Sequence, residues 1–505
     1  MWVDLLLFVA LLIGIFTIFY TWNYDYWNKR RLPYVKPIFP FGSLKDVILF
    51  KKTFSSLLDD WYYKYKDYKY IGVYFGRHPV LFIRDAQLIK DVMVKHFNHF
   101  QDNNARINEK ADPIAGNNPF MLKGGRWKST RAHLTPGFTA LKLKQMFPNM
   151  LSVSERLISY IQQNIDSSKN IIEAKDLSTN FATEVFTLAA LNIKSDSFEN
   201  PNSQFKTIAG DLLAGSHLKL FITWTLTIVD PALAVLLRIR ILSKKGEMYF
   251  RKAISDVLAY REQNNLVIND FCNYLNNIHL KNSDFTRDDV VSNIVTIFLD
   301  GVETSSQILR FLLREVAAYP EVFKKLRNEI DTIKSKYDDK ITFDGLQEMT
   351  YLDSCLFESL RIYSTLLTTM RVCTQPFEFP PPKEGEPGLK IQPGMGVLLP
   401  LFSIHNDEKL HPNPKEFNPE RFHNEEMKVQ AKANFYGFGD GPRMCLGMRY
   451  GSLVVKLGVA IIISNFDVTV NEKTKERPKN ISPSFLFAPS FEPNLDFHKR
   501  ATIYK

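Results

Sequence analysis

From Leu5 to Tyr20 the chain is apolar almost without interruption, and Trp22 extends the run. About 18–20 such residues suffice to cross the hydrocarbon layer as a helix. Asp4 precedes the run, while Lys29, Arg30 and Arg31 follow it. Basic charge on the C-terminal side favours a cytoplasmic location for everything after the span. An acidic start and no small-residue cleavage site argue against a removed signal peptide. Residues 1–31 read as a retained membrane anchor, with Trp22, Tyr24, Tyr26 and Trp27 in the interfacial belt. Next, Pro33, Pro37 and Pro40 stiffen residues 32–42 and forbid helix there.

Further on, the apolar spacing alternates between two periods. Ile71–Phe75 and Val80–Ile83, joined by Gly76-Arg-His-Pro79, predict a β-hairpin. Helical spacing predicts helices over 85–95, 151–165, 174–192, 246–277, 286–318, 321–336 and 348–362. Strand-like patterns return near 389–400 and in the C-terminal tail. The expectation is a mainly α body with small β-sheets, residues 43–505 forming one domain. Residues 218–242 are apolar, but Lys219, Asp230, Pro231, Arg238 and Arg240 argue against a second span. They read instead as a patch that dips into a bilayer.

Composition narrows the class. With 39 Phe and 21 Tyr, a large core and an apolar pocket are both within reach. The four cysteines, Cys272, Cys355, Cys373 and Cys445, are scattered without metal-type spacing, which suits a reducing compartment. A net charge of +10 favours anionic membrane surfaces or an acidic protein partner. The basic residues form no block interleaved with aromatics, so nucleic-acid binding is not expected.

Residues 435–447 read Phe-Tyr-Gly-Phe-Gly-Asp-Gly-Pro-Arg-Met-Cys-Leu-Gly. Glycines let such a loop lie close to a flat macrocycle, and backbone N–H groups can temper a thiolate. Cys445 held this way suits the proximal side of a haem iron. Phe438 and Gly439 would pack beside it, and Arg443 would pair with a propionate. A glycine-rich loop around a structural cysteine is the plainer alternative. The pattern resembles the haem-binding signature of the cytochrome P450 family, Phe-x-x-Gly-x-Arg-x-Cys-x-Gly, at Phe438, Gly441, Arg443, Cys445 and Gly447.

Further motifs follow in the family's order. Trp127 and Arg131, four apart on one helix face, resemble its Trp-x-x-x-Arg propionate pair. Asp300-Gly-Val-Glu-Thr-Ser305 resembles its oxygen-activation motif. There Thr304 would hold a water on the distal side, Glu303 would pass protons inward, and Gly301 would permit a widened helix turn beside the iron. Asp300 departs from the family's usual Ala or Gly. It is expected to contact a polar group at the pocket edge, to select substrate, or to form a haem ester as Glu does in the family's fatty-acid hydroxylases. Glu358-Ser-Leu-Arg361 with Arg421 resembles the Glu-x-x-Arg network, a structural feature. Arg371 matches a propionate-holding arginine. His405 is expected to be structural.

The resemblance, closest to insect microsomal members, implies the cytochrome P450 fold and a haem b cofactor. It also implies insertion of one atom of O2 into a lipophilic xenobiotic, steroid or hormone, or fatty-acid-like substrate. Electrons would come from NADPH through a separate NADPH–cytochrome P450 reductase, with cytochrome b5 as a second donor. Lys432, Arg443, Arg449 and Lys456 are candidate partner contacts. The expected location is the endoplasmic reticulum membrane, the catalytic domain facing the cytoplasm. A reductase-independent haem-thiolate isomerase or dehydratase, and a non-catalytic haem binder, stand as alternatives.

Overall fold

The longest helix, Arg287–Ala318, runs through the centre of the body. The computed structural model describes residues 2–167, 170–200, 203–205, 207, 217–482 and 486–500. Thr286 starts the central helix with a capping box. Its Oγ1 accepts from the Asp289 N–H (3.2 Å), and Asp289 accepts from the Thr286 N–H (2.8 Å). Pro320 biases Tyr319 to extended backbone and ends it. Val290, Val291, Ile294, Val295 and Phe298 bury one stripe, and Leu309, Leu312, Leu313 and Val316 continue it. The stripe packs against helices Ala174–Leu191 and Met448–Asn465. Burying each such side chain contributes roughly 1.5–3 kcal/mol before entropy is charged against it.

Beside this helical body lie, among the described residues, three small sheets. The largest has the order β1-β2-β8-β5-β3, comprising Tyr70–Phe75, His78–Ile83, Gly396–Leu399, Thr369–Val372 and Asp102–Asn103. Tyr70 faces Ile83 across the hairpin, as the alternating pattern predicts, and the turn is only Gly76-Arg77. β4 (Ile171–Glu173), β10 (Asn494–Lys499) and β9 (Phe466–Val470) form a second sheet; β6 (Phe377–Phe379) and β7 (Leu389–Ile391) form a third. The expected mainly α body with small sheets is what the chain forms.

Several local expectations change. The predicted helix 246–277 is two helices, Lys244–Gln263 and Phe271–Lys281. Asn265 turns left-handed (φ 51°), and Asp270 caps the second helix while binding buried Arg261. Local polar bonding thus outcompetes a continuous apolar stripe. The helix expected at 151–165 begins at Ala140 and carries Pro148 inside it.

The N-terminal helix Trp2–Thr21 has no buried residue. By length and composition Trp2–Lys29 is apolar enough to cross a membrane; Met448–Asn465 passes the same test but is mostly buried in the core. Trp27 does not belong to an interfacial belt. It is fully buried, packs against Gly72, and donates its indole N–H to the Val73 carbonyl (3.1 Å). Trp22, by contrast, is 74% exposed. The proline-rich stretch is no free spacer either. Val35 N–H donates to Gly72 O (2.9 Å), Gly72 N–H to Pro33 O (2.8 Å) and Ser43 N–H to Tyr74 O (2.7 Å), so it docks along β1. Extended backbone with unpaired groups finds partners at an open strand edge. The apolar stretch 218–242 folds as helices His217–Val229 and Pro231–Leu236, with Leu236 and Leu237 exposed.

Candidate active site

The loop before helix Met448–Asn465 presents Cys445. Its backbone is held by Cys445 N–H to Phe438 O (2.7 Å), Gly439 N–H to Tyr436 O (2.9 Å) and Met444 N–H to Gly441 O (3.0 Å). Gly441 has φ 70°, and a Cβ there would lie 2.0 Å from the Met93 carbonyl oxygen, so only glycine fits. Cys445 is reachable by a water-sized sphere, yet its surroundings are dense enough that burial pushes its thiol above the ordinary value. Both hold for a group lining an internal cavity. The Asp300 charge raises it further, while the Gly447 N–H bonded to the sulfur and the Arg131 charge oppose. A thiolate here needs a cation or metal to be stable.

Asp300 has the same double character. It is accessible, yet burial pushes its carboxyl up to about 6. Its charge acts on Cys445, so the carboxyl and the thiol lie near one another. Thr304 Oγ1 donates to the Asp300 carbonyl, one turn back along the same face. The helix is regular through residues 300–304, so the expected widened turn is not present. Gly301 is a correction as well. A Cβ there would lie 2.7 Å from the Phe186 ring, so this glycine admits the neighbouring helix rather than facing the cavity. Glu303 is exposed, and its charge reaches Glu492, which sits with Arg310 (3.1 Å).

Cations gather near the Cys445 loop. Arg371, on β5, is 3% exposed and pairs only with Asn103 Oδ1 (2.9 Å), its register partner on β3. Its Nε has no partner among the described residues. Burial and the Arg443 charge pull its pKa down to about 9. Arg443 lies over the Trp127 ring (4.3 Å). It donates to Gln101 O, Pro119 O (3.2 Å), Leu122 O (2.8 Å) and Asp102 (3.3 Å). Burial lowers its pKa to about 10. Burial also lowers Arg131, whose guanidinium has no carboxylate partner among the described residues. Lys123 adds a fourth cation, lowered by burial and by Arg106 and Arg443. Asp102 is the carboxylate that Arg371, Arg443 and Lys123 share, and it also accepts from the Gly124 N–H (3.0 Å) at the start of helix Gly124–Leu134. A buried cation excess with an orphaned Nε is costly unless an anion completes it. A soft ligand near a cationic rim fits haem, whose two anionic propionates would meet Arg371 and Arg131 with the Trp127 indole.

Behind the loop, Glu358 Oε1 and Oε2 accept from Arg361 (2.8 Å each). Oε1 also accepts from Arg421 (3.2 Å) and the Asn418 N–H (3.0 Å). Arg361 continues to His405 O (2.8 Å). His405 Nε2 accepts from the Tyr436 N–H (2.8 Å), which leaves Nδ1 to donate to Ser364 Oγ (2.7 Å). The sequence motifs are thus joined to the Cys445 loop by one buried relay. Of the candidate partner contacts, Lys432 and Arg449 are exposed. Lys456 is 3% exposed and paired with Asp353 (2.8 Å), and Arg443 is enclosed, so neither is a surface group.

Sequence reasoning missed Asn118, whose amide reaches Asp300 (3.4 Å), and Asn103, Asp102 and Lys123. They lie on irregular segments with no periodic or motif signal. An apolar pocket of about 710 Å³ including its mouth opens nearby, lined by Ala105, Phe120, Phe221, Ile228 and Met370 among others. Its lining contains neither Cys445 nor Asp300; the nearest link is Phe120, whose N–H donates to Asn118 Oδ1 (2.7 Å).

A helical body carrying a cysteine-ligand loop against a cation-rimmed cavity defines a haem-thiolate protein class. The cytochrome P450 family model matches residues 32–491, and the chain belongs to that family. It is 32% identical to cytochrome P450 6a2 of Drosophila melanogaster, over 91% of this chain and 92% of the relative. It is 31% identical to cytochrome P450 9e2 of Blattella germanica, over 94% and 92%. Cytochrome P450 6A1 of Musca domestica is also 31% identical, over 93% and 92%. The chain is a monooxygenase-type oxidoreductase of the haem-thiolate kind.

Proposed function

We propose that this monooxygenase acts on lipophilic small molecules, xenobiotic, steroid or hormone, or fatty-acid-like, at a haem ligated by Cys445. The observation that carries the reading is a set of cations incompletely paired among the described residues, half-buried Arg131 and buried Arg371, gathered near the Cys445 loop. Bound haem would supply the oxygen-activating chemistry. Arg443, Trp127, Arg131 and Arg371 bind and orient it. Phe438 and Gly439 shape the proximal loop, while the Gly447 N–H tempers the sulfur's charge. Thr304 holds a proton donor over the distal side, and Glu303 serves the path from solvent. Glu358, Arg361 and Arg421 hold the loop in place. The apolar lining of the pocket supports a lipophilic substrate.

In this reading residues 1–31 anchor the chain in the endoplasmic reticulum membrane, 32–42 set the approach, and 43–505 form the catalytic domain facing the cytoplasm. Electrons come from NADPH through a separate reductase, with cytochrome b5 as a second donor. The test is the visible spectrum of the reduced, CO-bound protein, followed by turnover with and without NADPH and reductase. The strongly red-shifted thiolate band is expected, and it disappears in Cys445→Ala. A normal spectrum with turnover independent of reductase would favour an isomerase instead.

A further inference from the structure

Most of the buried carboxylates among the described residues are compensated, although Asp59 has only the Ser403 hydroxyl (2.6 Å). Glu358 has two arginines, and Glu315 has Arg314 and Arg477. Asp270 has Arg261, and Glu184 has Arg156 with the N–H groups of Ser195 and Ser197. Asp112 accepts from the N–H groups of Ala115, Ile241 and Leu242. Asp300 differs. It has one long contact, from the Asn118 amide (3.4 Å), and no ion-pair partner among the described residues. The nearby arginines are directed elsewhere, to Asp102, Asn103 and the Cys445 side.

A carboxylate in crowded surroundings without a counter-charge among the described residues is only partly solvated, and a cation brought by a ligand relieves that cost. An apolar pocket lies beside the segment that carries Asn118. Phe120 bonds to Asn118 and lines the pocket with Ala105, Met370, Phe221 and Ile228. The complement of this arrangement is a molecule with an apolar body and a cationic head. We infer that the cavity selects lipophilic organic cations, and that Asp300 is the specificity-determining residue that holds the positive charge. The inference rests on the haem-thiolate reading of the same site and deepens it to a substrate class. It requires that Asp300 be a free carboxylate, not a haem ester.

The test uses full-length holoenzyme in lipid nanodiscs and two matched probes. One is an alkyltrimethylammonium ion; the other is the neutral hydrocarbon in which a quaternary carbon replaces nitrogen. The quaternary nitrogen has no lone pair and cannot ligate iron. Binding is read from the substrate-induced change in haem absorbance. Asp300→Asn is expected to weaken the cation at least tenfold and to leave the neutral isostere within twofold. Asp300→Glu keeps the preference for the cation. Equal effects on both probes, or none on the cation, would overturn the inference. So would haem that stays with the wild-type polypeptide on extraction with acidified organic solvent. The reduced CO spectrum is recorded for every variant. A thiolate band with no cation preference defeats only the substrate class, whereas loss of the band in the wild type defeats the parent reading.

Discussion

Replacing Glu358 with Gln keeps its shape and removes its charge. The carboxylate accepts four hydrogen bonds, three from Arg361 and Arg421 and one from the Asn418 backbone. Glu358 and Arg361 are fully buried and Arg421 nearly so, leaving no water to compensate. A Gln side chain has one acceptor oxygen, and its amide would point donors at guanidinium donors. Two buried cations then lose their counter-charge. Breaking such a unit costs about 3–5 kcal/mol, on the order of a hundred- to a few-thousand-fold in the folding equilibrium at about 1.4 kcal/mol per decade. Because Arg361 also binds the His405 carbonyl and the His405 ring binds the Tyr436 N–H, loop order falls with stability. Urea unfolding followed by far-ultraviolet circular dichroism should show an earlier midpoint, and the thiolate-type CO band should diminish per mole of protein. Adding Arg361→Met to Glu358→Gln should cost less than the sum of the single changes, since partners of a broken network are already lost. A Glu358→Gln midpoint close to wild type, or additive costs, would refute the reasoning.

Other outcomes follow from the same geometry. Arg371→Met should raise the stability of haem-free protein, by removing a buried cation with an orphaned Nε, and speed haem loss to an apomyoglobin acceptor; shifts of the same sign would contradict the cradle assignment. Acid should destabilise the fold through His411, which burial holds down at about 4 against 6.5. Its contribution is complete above pH 6.5 and is lost as pH falls towards 4, about 3 kcal/mol at about 1.4 kcal/mol per unit. His405, lowered mainly by burial, acts with the same sign, and His411→Gln should flatten the decline in urea midpoint between pH 7 and 4.5. Trp27→Ala should cost about 3–5 kcal/mol as a core truncation. Trp22→Ala, at a 74% exposed position, should leave the urea midpoint unchanged; equal effects would return Trp27 to the membrane interface.

What the sequence by itself determined is what is local or carried by a spaced motif. The apolar run of the first helix, the hairpin, the capped central helix and the Cys445 loop all depend on neighbours within a few residues, whose periodicity and turn chemistry are written in order. The pair Glu358 and Arg361 also lies within one turn of helix. Tertiary structure alone decided which charges meet. Nothing in the sequence of Asn103 or Asp102 signals that β3 pairs with β5 and sets them beside Arg371 and Arg443. Helical phase was fixed by packing, which turned Gly301 to Phe186 and left Asp300 on the cavity. Burial overrode the apparent amphipathic role of Trp27, because Gly72 opens a slot for an indole that composition cannot show. Asp300 was visible in the sequence as a departure. That it stands without a counter-charge among the described residues is a property of the fold, because compensation depends on distances between segments remote in the chain.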